Sequence, residues 1–127
     1  MRLLLDTHAF LWFTTGDRRL SPRARAALTR DDAILVLSAA VIWELAIKVS
    51  LGRLTLPLPM DAFLDEKQAD GYRILPIDGR HAVGVARLPF HHRDPFDRLL
   101  IAQALVERIP VVSRDRTLRK YGAELLW

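Results

Sequence analysis

The stretch AILVLSAAVIWELAIKVSLG, Ala33–Gly52, passes from a strand to a helix through a single serine. Ala33 to Leu37 is an aliphatic run of strand length. Ser38 brings the short hydroxyl side chain that suits a helix N-cap, Ala39 to Leu51 is strongly apolar, and Gly52 closes the segment. A strand feeding straight into a helix is half of a crossover unit, and parallel strands need such crossovers. The same alternation extends outward in both directions.

On the N-terminal side, Arg2 to Leu5 reads as a buried strand ending in Asp6-Thr7, followed by a helix through Ala9, Phe10, Trp12 and Phe13 that stops at Gly16-Asp17. Ser21-Pro22 opens a second helix, Arg23 to Thr29, with serine as cap and proline at the first helical position. On the C-terminal side, Leu56-Pro57-Leu58-Pro59 is a rigid connection to an amphipathic segment, Asp61 to Ala69. A third strand, Tyr72 to Ile77, leads to a short helical piece over Gly79 to Arg87 and a loop, Leu88 to Arg93. Asp94-Pro95 starts a helix carrying Leu99, Leu100, Ala102, Gln103, Leu105 and Val106, which passes through Arg108-Ile109-Pro110 into a fourth strand, Val111 to Ser113. A helical turn after Asp115 and an edge strand, Glu124 to Trp127, complete the reading. Without an internal repeat, low-complexity tract or long linker, residues 1–127 are expected to form one α/β domain around a parallel sheet.

The 127 residues include 19 basic and 15 acidic side chains, a net charge of +4, and no cysteine. Disulfides, thiolate zinc sites and a cysteine nucleophile are thereby excluded. No apolar run approaches the roughly 18 residues that span a bilayer, and Asp6 interrupts the first one, so a cytoplasmic protein is expected. A basic excess favours polyanionic partners. If the acids gather in one pocket, the surface around them is more basic still, which suits a phosphodiester substrate.

Four acids are placed to gather. Ligands of such sheets bind at the carboxyl ends of the strands. Asp6 ends the first strand, and Asp115 lies just beyond the fourth. Asp97 sits in the first turn of a helix that runs back towards the start of the fourth strand. Glu44 is about 9 Å along its helix from Ser38, within reach of a long side chain. Ala40, Val41, Ile47 and Leu51 share much of its face, so it points inward and needs a partner. Converging carboxylates repel unless divalent cations neutralise them, and all-oxygen donors select Mg²⁺ or Mn²⁺. Taken singly, Asp6 and Asp115 read as turn or cap residues, Asp94 and Asp97 as a capping pair around Pro95, and Glu44 as a partner of Lys48. One metal site accounts for Asp6, Glu44, Asp97 and Asp115 together, leaving Asp94 mainly to capping. Lys48 either pairs with Glu44 or contacts a phosphate. His91 and His92 read as loop histidines rather than zinc ligands, for want of a third partner at metal spacing, and together with Arg93 and Arg98 they could line a phosphate-binding rim. Thr7 and Ser113 adjoin the acids and are placed to hydrogen-bond metal-held water. Trp12, Phe13 and Trp43 read as core or interface residues.

Leu5-Asp6-Thr7, Ser38 through Trp43-Glu44-Leu45-Ala46-Ile47-Lys48, Asp94-Pro95-Phe96-Asp97-Arg98-Leu99-Leu100-Ile101-Ala102 and Ser113-Arg114-Asp115, in that order and spacing, closely resemble PIN-domain proteins, specifically VapC-type toxins of bacterial toxin–antitoxin pairs. The resemblance covers essentially the whole chain. It implies a three-layer α/β/α fold with a mostly parallel sheet of four to five strands. It also implies an endoribonuclease dependent on Mg²⁺ or Mn²⁺, a VapB-type antitoxin as inhibitor and a homodimer, with Trp12 and Trp43 as antitoxin contacts. The family's acids fall on Asp6, Glu44, Asp97 and Asp115. Two other readings are a module of the same fold that binds RNA or a partner without cleaving, and a phosphate-accepting receiver. The latter needs an aspartate at the end of a middle strand, and none follows Leu37.

Overall fold

The computed structural model describes residues 1–127. In chain order the elements are β1 (Arg2–Leu5), α1 (Thr7–Thr15), α2 (Pro22–Leu28), β2 (Ile34–Ser38), α3 (Ala39–Ser50), α4 (Met60–Ala69), β3 (Arg73–Leu75), α5 (Gly79–Val85), α6 (Pro95–Glu107), β4 (Val111–Val112), a 3₁₀ turn (Arg116–Tyr121) and β5 (Leu125–Leu126). Short polar side chains fix where the helices start by satisfying amides that have no partner within the helix. Asp6 accepts from Ala9 N at 2.8 Å, Ser21 from Ala24 N at 3.0 Å, and Ser38 from Ala40 N at 3.0 Å. Asp94 accepts from Phe96 N at 2.8 Å and Asp97 N at 3.2 Å, the capping role expected for it.

The strands form one sheet in the order β3-β2-β1-β4-β5, every neighbouring pair parallel. Leu4 pairs with Val36 on one side and Val111 on the other, so β1 is the central strand. Leu3, Leu4 and Leu5 are fully buried, which requires cover on both faces of the sheet. One helical layer brings α3, α5 and α6 into contact. On the other, Phe10 of α1 meets Phe63 of α4 and Tyr72 edge-on at 6.1 and 5.4 Å. The fold is therefore a three-layer α/β/α sandwich.

Two boundaries and the burial of one tryptophan differ from expectation. β3 is confined to Arg73–Leu75. Pro76 has no N–H to donate to a ladder, and Tyr72 N turns back to Lys67 O at 3.1 Å, releasing its ring into the core. α3 ends at Ser50, and Leu51 stands 59% exposed, so Glu44's apolar face is shorter than its spacing implied. Trp43 is 56% exposed, edge-on to Phe96 at 5.1 Å, and is not a core residue. Trp12 and Phe13 are half-buried against the core.

Gln103 is a buried polar residue that the apolar pattern of α6 had concealed. Its Oε1 accepts the Ser38 hydroxyl, and its Nε2 donates to Pro76 O at 3.3 Å. The end of β2, the exit from β3 and the middle of α6 are thus tied together beneath the carboxyl edge of the sheet.

Candidate active site

Parallel strands bring their carboxyl ends to one edge. Asp6 leaves β1 there, and its N–H bonds to Val112 O of β4 at 3.2 Å, so the Asp6 backbone bridges the two strands. Asp6 just after β1, Glu44 on α3 and Asp97 on α6 line one pocket of about 170 Å³. Thr7, His8, Lys48, Asp94 and Phe96 also line it. Asp115 is not part of that lining. It lies beyond β4, near enough to Asp6 for their charges to interact.

The charges in this pocket are under strain. Burial raises the Asp6 carboxyl above its ordinary 3.8, and Asp115 adds to the rise, against the lowering effects of the Ser113 hydroxyl, Ala9 N–H and His8. Asp97 is pushed up to about 6, first by burial of its carboxyl and then by Asp94, Glu44 and Asp6, with His92 opposing. The residue as a whole keeps an exposed edge. Asp115 goes the other way: burial works to raise it, but hydrogen bonds from His92 and Thr117 outweigh that, and the net shift is downward.

Glu44 is held from two sides. The Thr7 hydroxyl donates to Oε1 at 2.5 Å, and Lys48 Nζ stands 3.3 Å from Oε2. Thr7 is therefore committed to a carboxylate, and of the two readings for Lys48 the ion pair is the one formed.

The phosphate-rim expectation is corrected for Arg98, which is 6% exposed. Its guanidinium donates to Pro89 O at 2.9 Å, Val85 O at 3.2 Å, and Leu88 O and His92 O at 3.3 Å, with the Phe90 ring over it at 4.2 Å. Arginine supplies this many donors in one plane, and here they tie a loop. Its position one residue after Asp97 on α6 turns it inward as Asp97 faces the pocket. His92 is no rim residue either: Nε2 contacts Asp115 Oδ2 at 2.5 Å and Nδ1 contacts Tyr121 OH at 2.9 Å. His91 packs edge-on against Tyr121 at 4.9 Å. Nothing in local spacing announced the link from His92 to Asp115, which spans 23 residues. Arg93, Arg114 and Arg116 are exposed beside these residues.

A divalent cation fits this donor set. The pocket acids are hard oxygen donors, and Asp6 and Asp97 resist ionisation as they stand. Lys48 is engaged with Glu44 alone. As the side chains stand, no three acidic or histidine groups are drawn together closely enough to hold a metal ion, so the fit is one of donor chemistry in an open acidic pocket.

The PIN domain family matches residues 3–124. Ribonuclease VapC22 of Mycobacterium tuberculosis is 33% identical over 121 residues, covering 94% of this chain and 91% of the relative. Among solved structures, the VapBC2 complex from Rickettsia felis bound to a promoter DNA fragment is similar with a TM-score of 0.73 and 15% identity, over 98% of this chain and 97% of that one. FitAcB from Neisseria gonorrhoeae gives a TM-score of 0.67 and 22% identity, over 97% and 95% of the respective chains. These two establish likeness of fold. With the family match spanning nearly the whole sequence, the chain belongs to the PIN-domain family.

Proposed function

We propose that the chain, acting as one nuclease domain over residues 1–127, is a divalent-metal-dependent endoribonuclease and the toxin of a toxin–antitoxin pair. The observation that carries the nuclease reading is the meeting of Asp6, Glu44 and Asp97, from three elements distant in sequence, in one pocket whose charge is poorly compensated. Asp6 and Asp97 chiefly, with Asp115 and Glu44 completing the set, would hold Mg²⁺ or Mn²⁺. Such an ion supplies Lewis acidity, acidifying water for attack on phosphorus and stabilising the charge that develops there. The chain's own contribution is to present the carboxylates, with Thr7 and Lys48 orienting Glu44. Likeness to Ribonuclease VapC22 supports RNA as substrate, and likeness to VapBC2 supports an antitoxin of VapB type as partner. A homodimer in the cytoplasm is part of the same reading. No helix is long and apolar enough to cross a membrane.

The purified chain is expected to cleave total RNA with Mn²⁺ or Mg²⁺ and to be inactive in EDTA. Its products are expected to carry 5′-phosphate and 3′-hydroxyl ends. Histidine chemistry using the 2′-hydroxyl would leave a cyclic phosphate instead. Cleavage persisting in EDTA, or RNA binding without cleavage in Mn²⁺, would overturn the proposal.

Arg114 and Arg116 flank Asp115 and are exposed, a placement suited to phosphates of a bound strand. Each single-strand phosphate contact adds about 0.7 to the slope of log affinity against log salt. Arg114→Ala with Arg116→Ala, measured by RNA binding across a salt series, is therefore expected to flatten that slope by about 1.4. Neutral thermal stability is expected in the same variant.

A further inference from the structure

Asp115 is the one member of the acidic set that does not line the shared pocket, yet both of its carboxylate oxygens are held. Oδ1 accepts from Thr117 N at 3.0 Å, Oδ2 contacts His92 Nε2 at 2.5 Å, and Asp115 N donates to Ser113 Oγ at 3.0 Å. A carboxylate only accepts, so the proton of a neutral His92 ring sits on Nε2. Nδ1 is then a lone pair, and it accepts a hydrogen bond from the Tyr121 hydroxyl at 2.9 Å. The donations run in one direction, from Tyr121 to His92 to Asp115.

The supports of this chain come from separate parts of the fold. The His92 side chain is 13% exposed, and Arg98 holds His92 O from within α6. His91 packs on the edge of the Tyr121 ring at 4.9 Å. A contact serving only to fasten the 3₁₀ turn would not need its polar end on an acid whose charge is felt at Asp6.

We propose that His92 and Tyr121 are positioning residues for Asp115, fixing the orientation in which its carboxylate completes the divalent-cation site. This rests on the nuclease reading above. Partners of this kind behind ligand carboxylates contribute about ten- to a hundredfold to metal affinity or activity.

The test is Mn²⁺ titration by calorimetry on the full chain, beside RNA cleavage kinetics, for the wild type, His92→Ala, His92→Gln, Tyr121→Phe and Asp115→Asn. His92→Ala is expected to weaken Mn²⁺ binding about ten- to a hundredfold and to lower kcat with little change in KM. His92→Gln keeps an amide donor for Asp115 and is expected to recover most of the loss. Tyr121→Phe removes one oxygen and is expected to show a smaller loss of the same kind, so it carries the test if His92→Ala does not fold. Added to Asp115→Asn, His92→Ala is expected to cost nothing further in Mn²⁺ affinity. Wild-type Mn²⁺ affinity in folded His92→Ala or Tyr121→Phe, or full additivity with Asp115→Asn, would overturn the proposal. A wild type that binds Mn²⁺ without cleaving RNA overturns the nuclease reading, and the Mn²⁺ arm then decides the positioning role alone. A wild type that binds no Mn²⁺ overturns both.

Discussion

Asp97→Asn is expected to abolish RNA cleavage while making the metal-free protein more stable. Loss of a ligand carboxylate exceeds the ten- to hundredfold effect usual for residues behind the ligands, so a drop of at least about a hundredfold in kcat/KM is expected. The gain in stability follows from the carboxyl's position at about 6, against 3.8 ordinarily, raised first by burial and then by Asp94, Glu44 and Asp6. Between those two values the folded chain binds more protons at this site than the unfolded chain. Stability therefore falls as pH rises through that window, and the full cost is present above it. Asparagine does not ionise and escapes the cost. Asp6, also raised, keeps a slope of the same sign in the variant. Because Asp97 has an exposed edge, solvent screens much of the repulsion, and the expected rise in Tm near neutral pH without metal is about 1–3 °C. A variant that cleaves RNA normally, or melts below the wild type in EDTA, would contradict the assignment of Asp97.

Arg98→Met is expected to be the most damaging single change away from the acids. The side chain is buried and its guanidinium serves four carbonyls of the segment Val85 to His92. Val85 O also accepts from Leu88 N, but removal of the guanidinium strips donors from the other three. The buried Leu88 carbonyl costs about 1–3 kcal/mol when left unpaired, while water can reach the carbonyls of exposed Pro89 and half-buried His92, so a loss of about 1–3 kcal/mol is expected, roughly 3–10 °C in Tm. Urea unfolding monitored by tryptophan fluorescence gives the number directly. A midpoint within error of the wild type would return Arg98 to the rim of phosphate-binding residues that its sequence position implied. Arg98→Lys is expected to recover little, since an ammonium cannot span the same carbonyls.

The two variants mark what local pattern conveys and what it does not. Asp6, Glu44 and Asp97 were placed by rules acting over a few residues: a strand end, a helical face and a first helical turn. The structure puts these three around one pocket. The caps at Ser21, Ser38 and Asp94 obey the same short-range chemistry. The roles of Arg98, Gln103 and His92 are not legible locally, because their partners lie in other parts of the fold. Ser38 meets Gln103 across 65 residues, and no periodicity encodes such a contact. Polar side chains on an apolar helix face read as surface until the neighbouring backbone is seen to be short of donors. The exposure of Trp43 is the converse, an apolar side chain whose placement depends on where α3 meets α6.

The central position of β1 has a consequence for biosynthesis. Asp6 is among the first residues made, but β1 gains its neighbour β4 only after Val111 and Val112 have been synthesised. Asp97 is carried by α6, which is made just before β4. A growing chain can bring Asp6 and Glu44 together once β1 pairs with β2, but Asp97 joins them only after α6 is made, and contacts this distant in sequence form slowly. On the nuclease reading proposed above, cleavage is expected only once α6 has brought Asp97 to Asp6 and Glu44.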